Sequence, residues 1–148
     1  MKSASIFYRN NDIIIYALSK THAGFWVSSE PYIKLERNVE VNEIIASIFK
    51  ALNGSKKEVT NPTNWSESNK MFLSRLGLKS SKELEKPETR YCSIQMDDEM
   101  ITFTPSKHAK PPDKGFLHKS QEEAEKIINT APPEQIVNAL QRALNKCE

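Results

Sequence analysis

Ser5-Ile6-Phe7-Tyr8-Arg9-Asn10-Asn11-Asp12-Ile13-Ile14-Ile15-Tyr16-Ala17-Leu18 is the stretch on which the fold turns. Its two runs, Ser5 to Tyr8 and Ile13 to Leu18, are rich in β-branched and aromatic side chains, which suit a pleated surface. Asn10-Asn11 lies between them, and Asn tolerates the positive φ angles of a tight hairpin. The spacing predicts two antiparallel strands. The second run is apolar on both faces, so it predicts a central strand covered on each side.

Outward from this hairpin, Phe25-Trp26-Val27 and Tyr32-Ile33-Lys34-Leu35 predict two further strands, with Ser28-Ser29-Glu30-Pro31 as the turn between them. The period then changes. Ile44, Ile45, Ile48, Phe49 and Leu52 recur at helical spacing and predict a helix over 42–53, with Asn42 as N-cap and Asn53-Gly54 as a left-handed stop. Trp65, Phe72, Leu73 and Leu76 outline a second helix over 64–76, with Thr63 as candidate cap and Gly77 at its end. Ser80 and Glu83 have capping-box spacing, which predicts one short helix before Pro87.

Thr89 to Met96 and Met100 to Thr104 predict a hairpin whose tip is Asp97-Asp98-Glu99, with Cys92, Ile94 and Met96 on one face of the first arm. Pro105 to Gly115 is Lys-rich, Pro-rich and aperiodic, and predicts a mobile surface loop. Glu122 to Asn129 reads equally as a short helix capped by Ser120 and Glu123, or as a sheet-closing strand through Lys126-Ile127-Ile128. Behind Pro132-Pro133, the stripe Ile136, Val137, Leu140 and Leu144 predicts a last helix over 133–146. The sum is an α+β fold: a mainly antiparallel sheet with three or four helices packed against it, residues 1–148 forming one domain.

With 38% hydrophobic and 27% charged residues, the chain has the usage of an ordinary globular protein, which argues against wholesale disorder. A net charge of +2 is too small to imply nucleic acid. Cys92 and Cys147 stand far apart in sequence without metal-ligand spacing, so a disulfide framework is not expected and a reducing compartment fits. Asn10-Asn11-Asp12 interrupts the first apolar run before a signal-peptide core can form, and Ile13 to Leu18 is too short to span a membrane. The expected location is the cytoplasm.

No catalytic constellation stands out. Three histidines, His22, His108 and His118, sit in no ligand motif, so neither a metal nor a cofactor is expected. His108 and His118 in a Lys-rich segment could in principle cleave RNA by acid–base chemistry, but three such residues on a flexible loop more often mark a solvated surface. The same segment, with Phe116, raises a nucleic-acid-binding module as an alternative, and it lacks an RNA-binding signature. No nucleophile elbow, P-loop or dinucleotide fingerprint exists. Trp26, Tyr32 and Trp65 lie in or beside irregular chain; the default place for the two tryptophans is the core, although such groups bind strongly when exposed.

Four separate pieces point together: Phe25 to Leu35, Ala51-Leu52-Asn53-Gly54-Ser55, Pro62-Thr63-Asn64-Trp65, and Ala139 to Cys147. In that order they resemble the contact-dependent growth inhibition (CDI) immunity proteins, of CdiI type, from about residue 13 to the C-terminus. The resemblance implies a small cytoplasmic protein that binds the toxic C-terminal domain of a matching CdiA-type effector, commonly a nuclease, and blocks it sterically. It carries over no catalytic residues. Inhibitors of nucleases are often acidic, whereas this chain is slightly basic, so contact is expected from a local acidic patch or away from the toxin's active site. The expected contacts are Asp97, Asp98 and Glu99 at the hairpin tip, and Glu30 and Tyr32 around the Pro31 turn.

Overall fold

The structure, a computed structural model, describes residues 1–148. Its elements run β1 (Lys2–Tyr8), β2 (Asp12–Lys20), β3 (Trp26–Glu36), α1 (Val41–Gly54), α2 (Trp65–Arg75), a single 3-10 turn (Ser81–Glu83), β4 (Arg90–Met96), β5 (Met100–His108), β6 (Phe116–His118), β7 (Glu125–Ile128) and α3 (Pro133–Asn145). The strands form one seven-stranded sheet in the order β3-β2-β1-β4-β5-β6, with β7 also on β5. Every ladder is antiparallel. The α+β expectation holds.

The all-apolar run in β2 does what its pattern implies. Ile13 and Ile15 point into one core, and Ile14 and Tyr16 into another on the opposite face. The larger core holds eighteen buried residues, among them Ile6, Ile48, Ile94, Phe103, Leu140 and Leu144. It lies under α1, which covers β2 and β3, and under α3, which covers β4, β5 and β7. At about 1.5–3 kcal/mol for each fully buried aliphatic side chain, this layer carries most of the hydrophobic stabilisation. The smaller core, seven buried residues, is closed by Leu73 of α2, by Leu76 at its C-cap, and by Leu78 and Leu84 on either side of the 3-10 turn.

Several expectations need correction. Phe25 to Leu35 does not make two strands and a turn. One edge strand, β3, runs straight through, and its register against β2 jumps between Tyr16↔Tyr32 and Ala17↔Ser29, so that Glu30 and Pro31 bulge outward. Proline has no N–H for a ladder, and an edge bulge is the place in a sheet that tolerates it. Gly54 is not a left-handed stop. A Cβ there would lie 2.5 Å from Pro31 Cδ and 2.6 Å from the Glu30 carbonyl oxygen, so the glycine exists because the bulge meets the end of α1.

The helix starts also shift. α1 begins at Val41, with Glu40 rather than Asn42 as its cap residue. For α2 the cap is Asn64, not Thr63: its Oδ1 accepts the Glu67 N–H at 3.1 Å. Gly77 does take a positive φ of 68° just beyond that helix. Pro105 to Gly115 is not all loop, because β5 continues through buried Pro105 and Ser106 to His108 and pairs with β6. The ambiguous segment 122–129 contains a strand: β7 pairs with β5 from Met100↔Ile128 to Phe103↔Glu125. Glu125 fastens it to α3, accepting from Arg142 Nε at 2.5 Å and Lys146 Nζ at 3.3 Å.

Candidate functional site

The smaller core does not seal its face of the sheet. Between β3 and α2 it opens into a groove of about 880 Å³. One wall is the β3 segment from Trp26 to Glu30 and Tyr32, on which the bulge turns the strand outward. The facing wall is α2, reached through the loop Thr60-Asn61-Pro62-Thr63. Phe72 supplies the floor, standing edge-on to Tyr16 at 5.2 Å and to Tyr32 at 6.2 Å between ring centroids. Such edge-to-face pairs add about 0.5–1.5 kcal/mol beyond their buried area.

One end of the groove is polar. Arg75 pairs with Glu30 and lies 5.9 Å over the Tyr32 ring. The Glu30 carboxylate holds the Arg75 guanidinium above its ordinary pKa through a hydrogen bond and charge. Tyr32 Oη donates to Ser28 Oγ at 3.0 Å, which fixes the ring against the strand. Lys34 Nζ donates to the Leu76 carbonyl at 3.0 Å and ties the end of α2 to β3.

The other end is apolar and exposed. Trp65 is 57% exposed, Met71 60% and Phe25 39%, and the Phe25 and Trp65 rings lie 5.5 Å apart. Trp26 beside them is partly buried, with Lys20 Nζ 5.9 Å from its ring. A core place for Trp65 is therefore overturned. The spacing of α2 allowed either outcome, because the helix is too polar to be covered: only Leu73 within it is buried. Large side chains gathered at the lip of a groove are the signature of a recognition surface, whereas a single exposed one needs no explanation.

The five residues singled out in the sequence fall into two places. Glu30 and Tyr32 are on the groove. Asp97, Asp98 and Glu99 are at the β4–β5 tip, which β2 and β1 separate from β3, three interstrand spacings or about 14 Å. The tip is rigid. Asp97 Oδ1 accepts the backbone N–H groups of Met100 at 2.7 Å and Glu99 at 2.8 Å, and these bonds hold its carboxyl below the ordinary carboxylate range. Asn129, just beyond β7, clamps it, its side-chain amide donating to the Asp98 carbonyl at 3.1 Å and its backbone N–H to the Glu99 carbonyl at 2.8 Å. Asp98 and Glu99 are exposed; Asp97 is a structural group.

His108 and His118 lie on neighbouring strands, away from the groove. A ring nitrogen of His108, Nε2, sits 2.9 Å from the Thr89 carbonyl, and its ring packs on Phe116. His118 packs against Tyr91, and burial pulls its pKa below the ordinary value. Lys119 nearby is taken up by Glu123 and Glu148. No three His, Cys, Asp or Glu side chains cluster to hold a metal ion. No helix is long and apolar enough to cross a membrane.

The family model for the CDI immunity proteins, CdiI, matches residues 2–147. A Neisseria meningitidis protein of unknown function superposes with a TM-score of 0.76 at 17% identity, over 99% of this chain and 95% of that one. A chain from the CdiA-CT/CdiI toxin and immunity complex of Yersinia pseudotuberculosis superposes with a TM-score of 0.75 at 16% identity, over 99% and 97%. At such identities the likeness is one of fold. No curated protein matches the chain.

Proposed function

We propose, from the premise that this chain belongs to the CDI immunity protein family, that its β3–α2 groove is the surface on which it captures the toxin it neutralises. The partner is the cognate C-terminal toxin domain of a CdiA-type effector. Capture is by binding alone, in the cytoplasm, by one 148-residue domain whose groove is the main contact. The single observation that carries the site is the exposed aromatic and thioether lip, Phe25, Trp65 and Met71, over a stacked floor of Phe72, Tyr16 and Tyr32.

The physical logic is that of an interface with a few anchors. Exposed Trp and Met hold apolar area in water, and a partner side chain entering the groove would remove it. The floor is already ordered by stacking, so little conformational entropy remains to be lost on binding. Arg75 and Glu30 at the far end would fix the orientation of a polar group, and Tyr32 would line its path. Asp98 and Glu99 would form a second, separate contact: a solvated acidic pair suited to steering a basic toxin and worth more in association rate than in affinity. The basic overall balance of the chain then places no demand on the groove itself.

The test is calorimetry with the toxin domain. Trp65→Ala combined with Met71→Ala should weaken binding by about 2–4 kcal/mol, the size of hot-spot truncation, while the melting temperature stays put because both side chains are exposed. Undiminished affinity in a folded variant would remove the groove from the reading. Conversion of RNA or any other substrate by the isolated protein, abolished by His108→Ala or His118→Ala, would remove the purely binding role.

A further inference from the structure

Cys92 and Cys147, fifty-five positions apart, meet in the fold: their Sγ atoms lie 3.8 Å from each other, and both thiols are free. Cys92 is completely buried on β4 in the larger core. Cys147 lies beyond the end of α3, partly exposed, with its Sγ also 3.3 Å from the Tyr91 carbonyl. It opens onto a separate polar cleft of about 450 Å³ that Arg37 and Arg90 also line, together with Tyr8 and Glu88. Arg37 stacks over Tyr8 at 5.2 Å, and Glu88 is bound by Asn10. One thiol is thus sheltered and the other faces an arginine-bearing entrance.

From this arrangement we infer that Cys147 and Cys92 form a thiol–disulfide exchange site for low-molecular-weight anionic disulfides, entered through the Arg37–Arg90 cleft. The cleft brings positive charge to the carboxylates of such a molecule, and Cys147 is the thiol within its reach. The Cys147 thiol is pulled below its ordinary pKa, first by the hydrogen bond from Cys92 and further by the Arg90 charge, while the same contact and burial push Cys92 up. The attacking and the resolving sulfur are therefore distinct.

In the first step the Cys147 thiolate attacks one sulfur of the incoming disulfide. That S–S bond breaks, and the departing thiolate takes up a proton. In the second, Cys92 gives up its proton and attacks Cys147 Sγ, displacing the remaining thiolate, which is protonated in turn. Two electrons pass from the cysteine pair to the small disulfide, which leaves as two thiols. Closing 3.8 Å to a bond of about 2.05 Å requires the tail to shift. Cys147 stands outside α3, with its own N–H on the Leu144 carbonyl at 3.1 Å. Glu148 beyond it is paired to β5 through the Ser106 carbonyl at 3.0 Å and the His108 N–H at 2.8 Å, so the approach falls to the Cys147 side chain and the short turn that carries it. The product locks the C-terminal tail to β4.

The full chain, reduced, is titrated through a series of glutathione and glutathione-disulfide ratios and then alkylated and mapped by mass spectrometry. The expected result is joint loss of both thiols without retained glutathione, and a melting temperature higher by about 5–10 °C from closing so long a loop. Cys92→Ser should stop at one glutathione adduct on Cys147. Arg90→Ala should slow the reaction with glutathione disulfide about 3–10-fold more than the reaction with neutral hydroxyethyl disulfide at low salt, and high salt should screen that difference away. Should Cys92→Ser fail to fold, brief exposure of the wild-type chain locates the first adduct instead. Two thiols that stay alkylatable across the series, a first adduct on Cys92, or a stable adduct on Cys147 beside a free Cys92 would each overturn the site.

Discussion

The two faces of the sheet are built to different specifications. Under α1 and α3, side chains from four strands and two helices interlock until eighteen residues are buried. Under α2 only seven are buried, aromatic rings such as Phe7, Tyr16, Tyr32 and Phe72 mix with the leucines, and the layer ends in an open groove with tryptophan and methionine at the lip. Both faces belong to the same strands, so alternation along β2 serves one face with Ile13 and Ile15 and the other with Ile14 and Tyr16. If the groove is the toxin surface proposed above, this chain keeps stability and recognition on opposite sides of one sheet. Such a division would let side chains on the open face change while the closed one stays intact.

Substitutions on each face test the division. Ile48→Ala removes a fully buried side chain of the closed face and should cost about 2–5 kcal/mol, read as a shift in the urea midpoint. The fraction that remains folded should bind toxin with unchanged affinity; a large loss would mean that the faces are coupled. Trp65→Ala is the converse, a loss of about 2 kcal/mol or more in binding with stability altered by less than about 0.5 kcal/mol. If it unfolds the protein, the lip is part of the core and the division fails.

Two finer tests sit where the faces meet. Gly54→Ala places a methyl group against the Glu30 backbone and Pro31, and should destabilise by about 1–3 kcal/mol as α1 or the bulge gives way. It should also weaken binding, because the bulge aims one wall of the groove; lost stability with intact affinity would detach groove shape from the bulge. The smallest effect concerns Asp97. Its folded pKa lies below the unfolded value, so its contribution is complete above the ordinary carboxylate range near pH 4 and fades as the pH falls through the folded pKa. Asp97→Ala should therefore lower the melting temperature slightly at pH 7 and converge with the wild type in acid. Asp98→Ala with Glu99→Ala should leave stability alone and slow toxin association at low salt, measured by stopped flow. An unchanged rate would take the tip out of the binding surface.

Much of this was legible in the chain. The first hairpin, both long helices, the β4–β5 hairpin and the capped turn at Glu83 are local: turn chemistry and periodicity act within a few residues. What misled was every element whose state depends on a distant partner. Pro31 looks like a turn until β2 is laid beside it, when two residues bulge and the strand goes on. Pro105 looks like the end of a strand, yet β6 and the C-terminus extend the ladder to His108. Residues 125–128 carry no preference strong enough to choose between helix and strand, and the free side of β5 chooses for them. Glu30 and Tyr32, expected as contacts, lie on the candidate groove, but the exposure of Trp65 was not legible. An amphipathic helix reports which stripe is apolar and not whether anything lies opposite it.

The amino-acid order by itself determined the alternation, the helical stripes and the turns, because those follow from backbone sterics and side-chain spacing within short windows. Only the packed molecule decided that β3 bulges at Pro31 against Gly54, that α2 stops short of covering its face, and that Cys147 comes to rest beside Cys92. Each of these is a contact between segments tens of residues apart, set by which surfaces compete for the same neighbour once the sheet has formed.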